Sequence, residues 1–441
     1  MNREALLEAS AGITVGLLIV VIAAFRSKKL PSRGVLRRSA MLALVTYAVV
    51  AVPVFTPSGM TVLGLVALLV VVALALGGSL LARRHAASSV SQAQNYVQAL
   101  VGTGMAAVLL ISAGQTLALV ARVDPRVTVV VVGVVAAALV AGQGLVASSR
   151  MSSVTMWLLV VPILISLALG FLLGSVTVVT SPIRVLDGAP HAAILATAVS
   201  VFVLGWSDNS LTMSARVGRW SPIRVFIGSF VVIALVLLGL LMFLGGAVFA
   251  PSMEFFVVPA NIDALTGLYG VLLAIVTVLF AALVANALTG VGALGSSALQ
   301  GPVSVEEMMV DGDAGAEMTT APFAVAGRWV VASALVAVIV ALLDPGSQRV
   351  LIVTAFVAAV VMGVQLGNPP RVNDAPPLVG PIAGLLASVV ASAALAITGQ
   401  FSLGWASIVA TAVVLAVSFA AGRVGGSSLP RVDSDEPSLV T

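Results

Sequence analysis

Runs of about twenty apolar residues, repeated from one end of the chain to the other, constrain this sequence more than any motif in it. A helix needs about 20 residues to cross the ~30 Å hydrocarbon core of a bilayer, and a sequence of many such runs must place its backbone in helices. The runs are continuous rather than alternating, which excludes a transmembrane β-barrel. Of the 441 residues 60% are hydrophobic and only 9% charged, with a mean hydropathy of +1.18. The chain therefore reads as an all-α polytopic membrane protein of about 13 transmembrane helices. The predicted spans are 5–25, 39–55, 60–82, 97–120, 127–147, 154–179, 191–213, 225–250, 267–297, 329–343, 350–366, 377–397 and 405–422. Two of them, 329–343 and 350–366, are short for a full crossing.

Charge fixes the orientation. The first loop carries Arg26, Lys28, Lys29, Arg33, Arg37 and Arg38 with no acid. Placing it in the cytoplasm puts 16 of the 21 Lys and Arg residues inside and leaves Arg3, Arg122, Arg126, Arg184 and Arg349 outside. By the positive-inside rule the N-terminus is outside and the C-terminus cytoplasmic, in a plasma (inner) membrane. The pI near 10.1 is thus a topology signal, not a sign of nucleic-acid binding. Cysteine is absent, and the histidines, His85 and His191, read as loop residues and are only two, so thiol chemistry and a histidine metal cluster are excluded. No catalytic constellation is visible, and the chain reads as a non-enzyme. The stretch 251–266 is amphipathic enough for an interfacial helix, and the tail 425–441 reads as disordered.

The most polar stretch inside an apolar span is Ala196–Trp220, which passes at Gly205 into Trp206, Ser207, Asp208, Asn209, Ser210 and Thr212. A carboxylate at membrane depth is costly and marks a functional site, which singles out Asp208; the alternative is that the span ends near Gly205 and Asp208 is solvated at its mouth. An interrupted helix also frees backbone N–H and C=O groups for a solute. The span 39–55, five earlier and of opposite direction, is interrupted by Pro53, Pro57 and Gly59. Paired broken segments at matching places point to inverted repeats with a solute site between them. The predicted organisation is a leading helix and basic loop (1–38), a first repeat (39–182), a second repeat (183–367), two peripheral helices (368–424) and the tail. Candidate solute contacts are Tyr47, Gln115, Trp206, Asp208, Asn209 and Ser210, for a small-molecule solute bound within the bilayer. In span nine, Ala285, Thr289, Gly292 and Ser296 share one helical face, flanked by Asn286 and Ser297. That face serves either close helix packing or oxygen ligation of a hard cation.

Three segments carry a family resemblance. AALVANALTGVGALGSSAL (281–299) resembles the eighth core helix of the sodium:solute symporters, with Thr289, Ser296 and Ser297 on matching positions. LLARRHAASSVSQAQNYVQ (80–98) looks like the basic loop before that family's third core helix, and VVMGVQLGNPPRVNDAPPLVGPIAGLLAS (360–388) is similar to its tenth and eleventh. The cluster in 205–216 also resembles the sixth helix of nucleobase permeases. Both resemblances imply the same LeuT-like fold of five plus five inverted helices, here with one leading and two trailing helices. They imply secondary transport by alternating access, coupled to sodium or to protons. The family's Ser-Thr sodium ligands fall here on Ala285 and Asn286, so Asn286 and Thr289 are the implied sodium contacts. Sodium is the only metal ion implied, and no cofactor is. The alternative is a non-transporting accessory or sensor subunit with a degenerate ion site, working beside a membrane-protein partner.

Overall fold

The computed structural model describes residues 3–25, 33–55, 62–85, 92–121, 124–172, 190–207, 222–243, 269–300, 321–367, 378–401 and 404–426. Within them the chain is all-α, in twelve helical elements: α1 (Arg3–Phe25), α2 (Arg33–Phe55), α3 (Val62–His85), α4 (Gln92–Ala121), α5 (Pro125–Leu172), α6 (Pro190–Ser207), α7 (Pro222–Phe243), α8 (Tyr269–Gln300), α9 (Ala321–Leu343), α10 (Ser347–Gly367), α11 (Val379–Thr398) and α12 (Gly404–Gly426). Six of these carry windows long and apolar enough to cross a membrane. The expected interfacial helix at 251–266 and the tail beyond Gly426 lie outside the described residues.

The protein is organised around α8. Every residue from Val276 to Asn286 on it is buried, and α1, α2, α4, α5 and α9 pack on it. The close approach of α1 depends on a missing side chain. A Cβ on Gly16 would lie 2.8 Å from the Ala274 carbonyl oxygen and 2.9 Å from Thr277 Cβ, contacts no real side chain makes. Around this centre α2 packs on α5, α6 and α7, α3 on α6 and α7, α4 on α5, α9 and α10, and α5 on α9. The trailing pair behaves differently. α12 packs on α10, α6 and α11, yet both α11 and α12 leave most of their surface bare, as expected of helices facing lipid.

Hydroxyls in an apolar interior need partners, and here they turn back on their own helices. Thr46, Thr103, Ser112, Thr197, Ser229, Thr289, Thr354, Thr411 and Ser418 each donate to the carbonyl four residues earlier, at 2.6–2.9 Å. This satisfies the hydroxyl without a second helix. It also sets a standard against which the exceptions stand out.

The structure corrects four details of the sequence reading. The spans expected at 127–147 and 154–179 form one helical element, α5, of 48 residues. Its helical length is about 72 Å, more than two bilayer crossings. The expected loop at 148–153 is helical because Ser148–Ser153 contains no glycine or proline to stop it. Second, the short spans are longer than expected: α9 has 23 residues and α10 has 21. The apolar run APFAVAGR extends α9 backwards, and Asp344–Gly346 turns it directly into α10, with Asp344 and Gly346 at φ 44° and 90°. Third, α2 stays helical through Pro53, as membrane helices allow when neighbouring groups compensate the lost N–H; Pro57 and Gly59 lie outside the described residues. Fourth, α6 stays helical through Gly205 to Ser207, for a packing reason given below.

Candidate functional site

The polar residues of the bundle gather at the end where α2 begins. Two clusters form there.

The first closes the end of α6. Gly205 presses against α3: a Cβ on it would lie 2.9 Å from Ser79 Oγ and 3.3 Å from Ser79 Cβ, with Leu44 of α2 at 4.0 Å. The glycine is thus a point of close helix approach, and the helix does not unwind there. One residue on, the buried Trp206 donates from Nε1 to Oε1 of Gln365 on α10, at 2.6 Å. Its ring leans on Phe202, with centroids 6.0 Å apart. Ser207 donates back to the Leu204 carbonyl at 3.1 Å and ends the described helix. Asp208, Asn209 and Ser210 follow outside the described residues. The 18 residues of α6 rise about 27 Å, close to a full crossing.

The second cluster is a polar waist on α5, Ser148–Thr155, read SSRMSSVT. Ser148, Ser149, Ser152 and Thr155 are wholly buried and Ser153 nearly so. Ser148 Oγ donates to Oδ1 of the buried Asn286 on α8, at 3.2 Å. One turn along α8, Thr289 bonds the Ala285 carbonyl at 2.8 Å. Ser152 Oγ and Thr155 Oγ1 are buried without a hydrogen-bond partner, as is Thr277 Oγ1 on α8. They break the habit of the other hydroxyls in this protein, and an unpaired buried hydroxyl carries a desolvation cost of about 1–3 kcal/mol. From the far side Arg38 of α2 donates its Nε–H to Ser153 Oγ at 2.6 Å. The waist thus offers neutral oxygens toward α8 and meets guanidinium toward α2. Oxygens of this kind suit a hard cation. Among the described residues no group of three or more His, Asp or Glu side chains comes together.

The structure does not gather the sequence candidates at one point. Trp206 meets Gln365, and Asn286 meets Ser148. Tyr47 is half-buried on α2, packed on the core three residues from Leu44. Gln115 lies at the opposite end of the bundle: its neighbour Gly114 abuts Pro125 and Val129 where α4 turns into α5. Gln115 Oε1 is buried there without a partner. Ser296 and Ser297 are on α8, but their side chains lie outside the described residues. Sequence reasoning missed Gln365 and the whole waist. A lone amide in VVMGVQLG and five hydroxyls in eight residues were the available signals.

No protein-family model matches the chain, and no curated protein matches it in sequence. Among solved structures it is similar to a Na+-coupled sialic acid symporter in a substrate-bound, outward-open state, at 12% identity and a TM-score of 0.46, over 96% of this chain and 98% of that one.

Proposed function

We propose that the protein is a secondary active transporter that moves a small organic solute across the plasma membrane by alternating access, built from two inverted five-helix repeats. One observation carries the reading, the exchange symmetry of the helix packing. Swap α2 with α6, α3 with α7, α4 with α8, and the long α5 with α9 and α10 together. The α2–α7 contact becomes α3–α6, α4–α9 becomes α5–α8, and α2–α5 becomes α6–α10; α2–α6, α4–α8 and α5–α9 map onto themselves, and all of these pairs are in contact. This is the pattern two interlocked repeats produce, with the first helices of each meeting at the axis. Trp206 and Ser207 then lie beside that axis, at the cytoplasmic side under the charge-derived orientation. In this reading Asp208 contacts a cationic group of the solute or carries the coupling proton, and Asn286 and Thr289 contact sodium if sodium is the coupling ion.

The test is uptake by the purified protein reconstituted into liposomes, with imposed sodium or proton gradients and a panel of amines, amino acids, nucleobases and carboxylates. Uptake driven by one gradient and abolished in Asp208→Asn supports the proposal. A second reading, a non-transporting accessory or sensor subunit, is favoured by the Ser148–Asn286 bond, which already occupies the one side-chain carbonyl of the proposed ion face. Solute-induced stabilisation without uptake in any gradient would move that reading ahead.

A further inference from the structure

A second site lies on the other flank of the α5 waist, where α2 begins. Its first turn is packed into the protein, with Leu36 and Ser39 buried. That packing carries Arg37 and Arg38 inward, so that both are half-buried. Arg38 is held by Ser153 Oγ at 2.6 Å, and its guanidinium carbon stands 6.0 Å from the centre of the Trp157 ring. Arg37 Nε is buried and finds no hydrogen-bond partner. Arg150 lies three residues before Ser153 and seven before Trp157, on the same helical face, which adds a third positive charge. The acidic residues whose side chains are described, Asp124 and Asp344, sit at the α4–α5 and α9–α10 turns, at the far end of the bundle. A desolvated N–H on Arg37 thus stands next in sequence to the held Arg38, with no acidic side chain described at this end of the bundle. The sequence between α1 and α2 contains Arg26, Lys28 and Lys29 and no acid.

Trp157 indicates what supplies the counter-charge. It is 57% exposed beside these arginines, the position that an indole takes at the headgroup level of a bilayer. Basic pockets between helices at that level bind phosphate-bearing headgroups, and a guanidinium fork matches phosphate oxygens. We propose that the α2–α5 crevice binds an anionic phospholipid, its phosphate held by Arg37 and Arg38 and its glycerol against Trp157. The shared chemistry is a phosphate anion; the exposed indole favours the lipid over the free ion.

The experiment uses the full-length protein, delipidated in a neutral detergent, with its melting temperature read against added phosphatidylglycerol, phosphatidylcholine or inorganic phosphate. The expected result is a rise of about 3 °C or more with phosphatidylglycerol alone, by preferential binding to the folded state. In the doubly substituted Arg37→Gln, Arg38→Gln protein at least half of that rise should be lost. Arg349→Gln, whose guanidinium lies over Phe401 at the other end, should keep it. An equal rise with phosphatidylcholine, or a rise untouched by the double substitution, overturns the proposal. An equal rise with inorganic phosphate overturns the lipid assignment. Should the double variant fail to fold, the three-ligand comparison on the unsubstituted protein decides, together with its salt dependence. A charge-held headgroup loses its stabilising effect as salt rises, and a salt-independent rise is the overturning result.

Discussion

Removing either partner of the Trp206–Gln365 bond should cost stability, and removing both should cost little more than removing one. The bond is short, at 2.6 Å, and joins the last turn of α6 to the last turn of α10. Its two ends are not equivalent. Trp206 is only 8% exposed, so Gln365→Leu removes the acceptor of a buried indole N–H, which costs about 1–3 kcal/mol. Gln365 is half-buried, so in Trp206→Phe the freed amide can turn toward water. That variant loses chiefly the larger ring, about 1–2 kcal/mol of apolar contact. Once the indole is gone, Gln365→Leu no longer removes its acceptor. The coupling energy of the double-mutant cycle should therefore be about 1 kcal/mol, near the upper part of the range measured between membrane helices. Reversible unfolding in mixed detergent micelles gives the three differences. Additivity within about 0.3 kcal/mol would refute the reasoning, because it would mean that the two side chains do not share one interaction.

Three further outcomes follow from the packing. Gly205→Val should destabilise by about 2–3 kcal/mol, since a Cβ there already collides with Ser79, and Ser79→Gly should recover part of the loss; the same unfolding assay reads both, and an unchanged Gly205→Val protein would mean that the helix is open at that point. Asn286→Leu should destabilise by about 1–2 kcal/mol by leaving the buried Ser148 hydroxyl without its acceptor, with Ser148→Ala in the same background close to neutral. If sodium is held at this face, sodium in place of potassium should raise the melting temperature of the unsubstituted protein but not of Asn286→Leu, checked by thermal unfolding in the two salts. Thr155→Val should be neutral or stabilising, because its hydroxyl is buried without a partner; a loss above about 1 kcal/mol would show that the hydroxyl holds something in the native protein.

The bundle was legible in the sequence because span length is a matter of hydrocarbon thickness, and the sequence carries that length directly as uninterrupted Val, Ala and Leu. What misled the reading was the meaning of glycine, proline and serine. Gly205 looked like a break because glycine frees the backbone. In the structure its lack of a Cβ serves α3 instead, and nothing within α6 alone distinguishes the two uses. The run SSRMSSVT looked like a loop because it is polar, yet a serine in a helix can bond a carbonyl behind it or an amide across from it, as Ser148 does with Asn286. The candidate site was only half legible for the same reason. Trp206 and Asn286 were visible as polar residues in apolar spans. Their partners Gln365 and Ser148 lie 159 and 138 residues away, and no periodicity links them. The unpaired groups are where the physical argument has most purchase. In a protein whose hydroxyls mostly satisfy themselves within one turn, Ser152, Thr155, Thr277, Gln115 and Arg37 each keep a buried polar atom unpaired. Four of the five fall on α2, α5 and α8, the helices that clasp the waist. A static core would have replaced them with alanine, valine or leucine at a gain in stability. Ser152 and Thr155 lie on the waist itself, and an ion or a solute held there in the working state would complete their bonds.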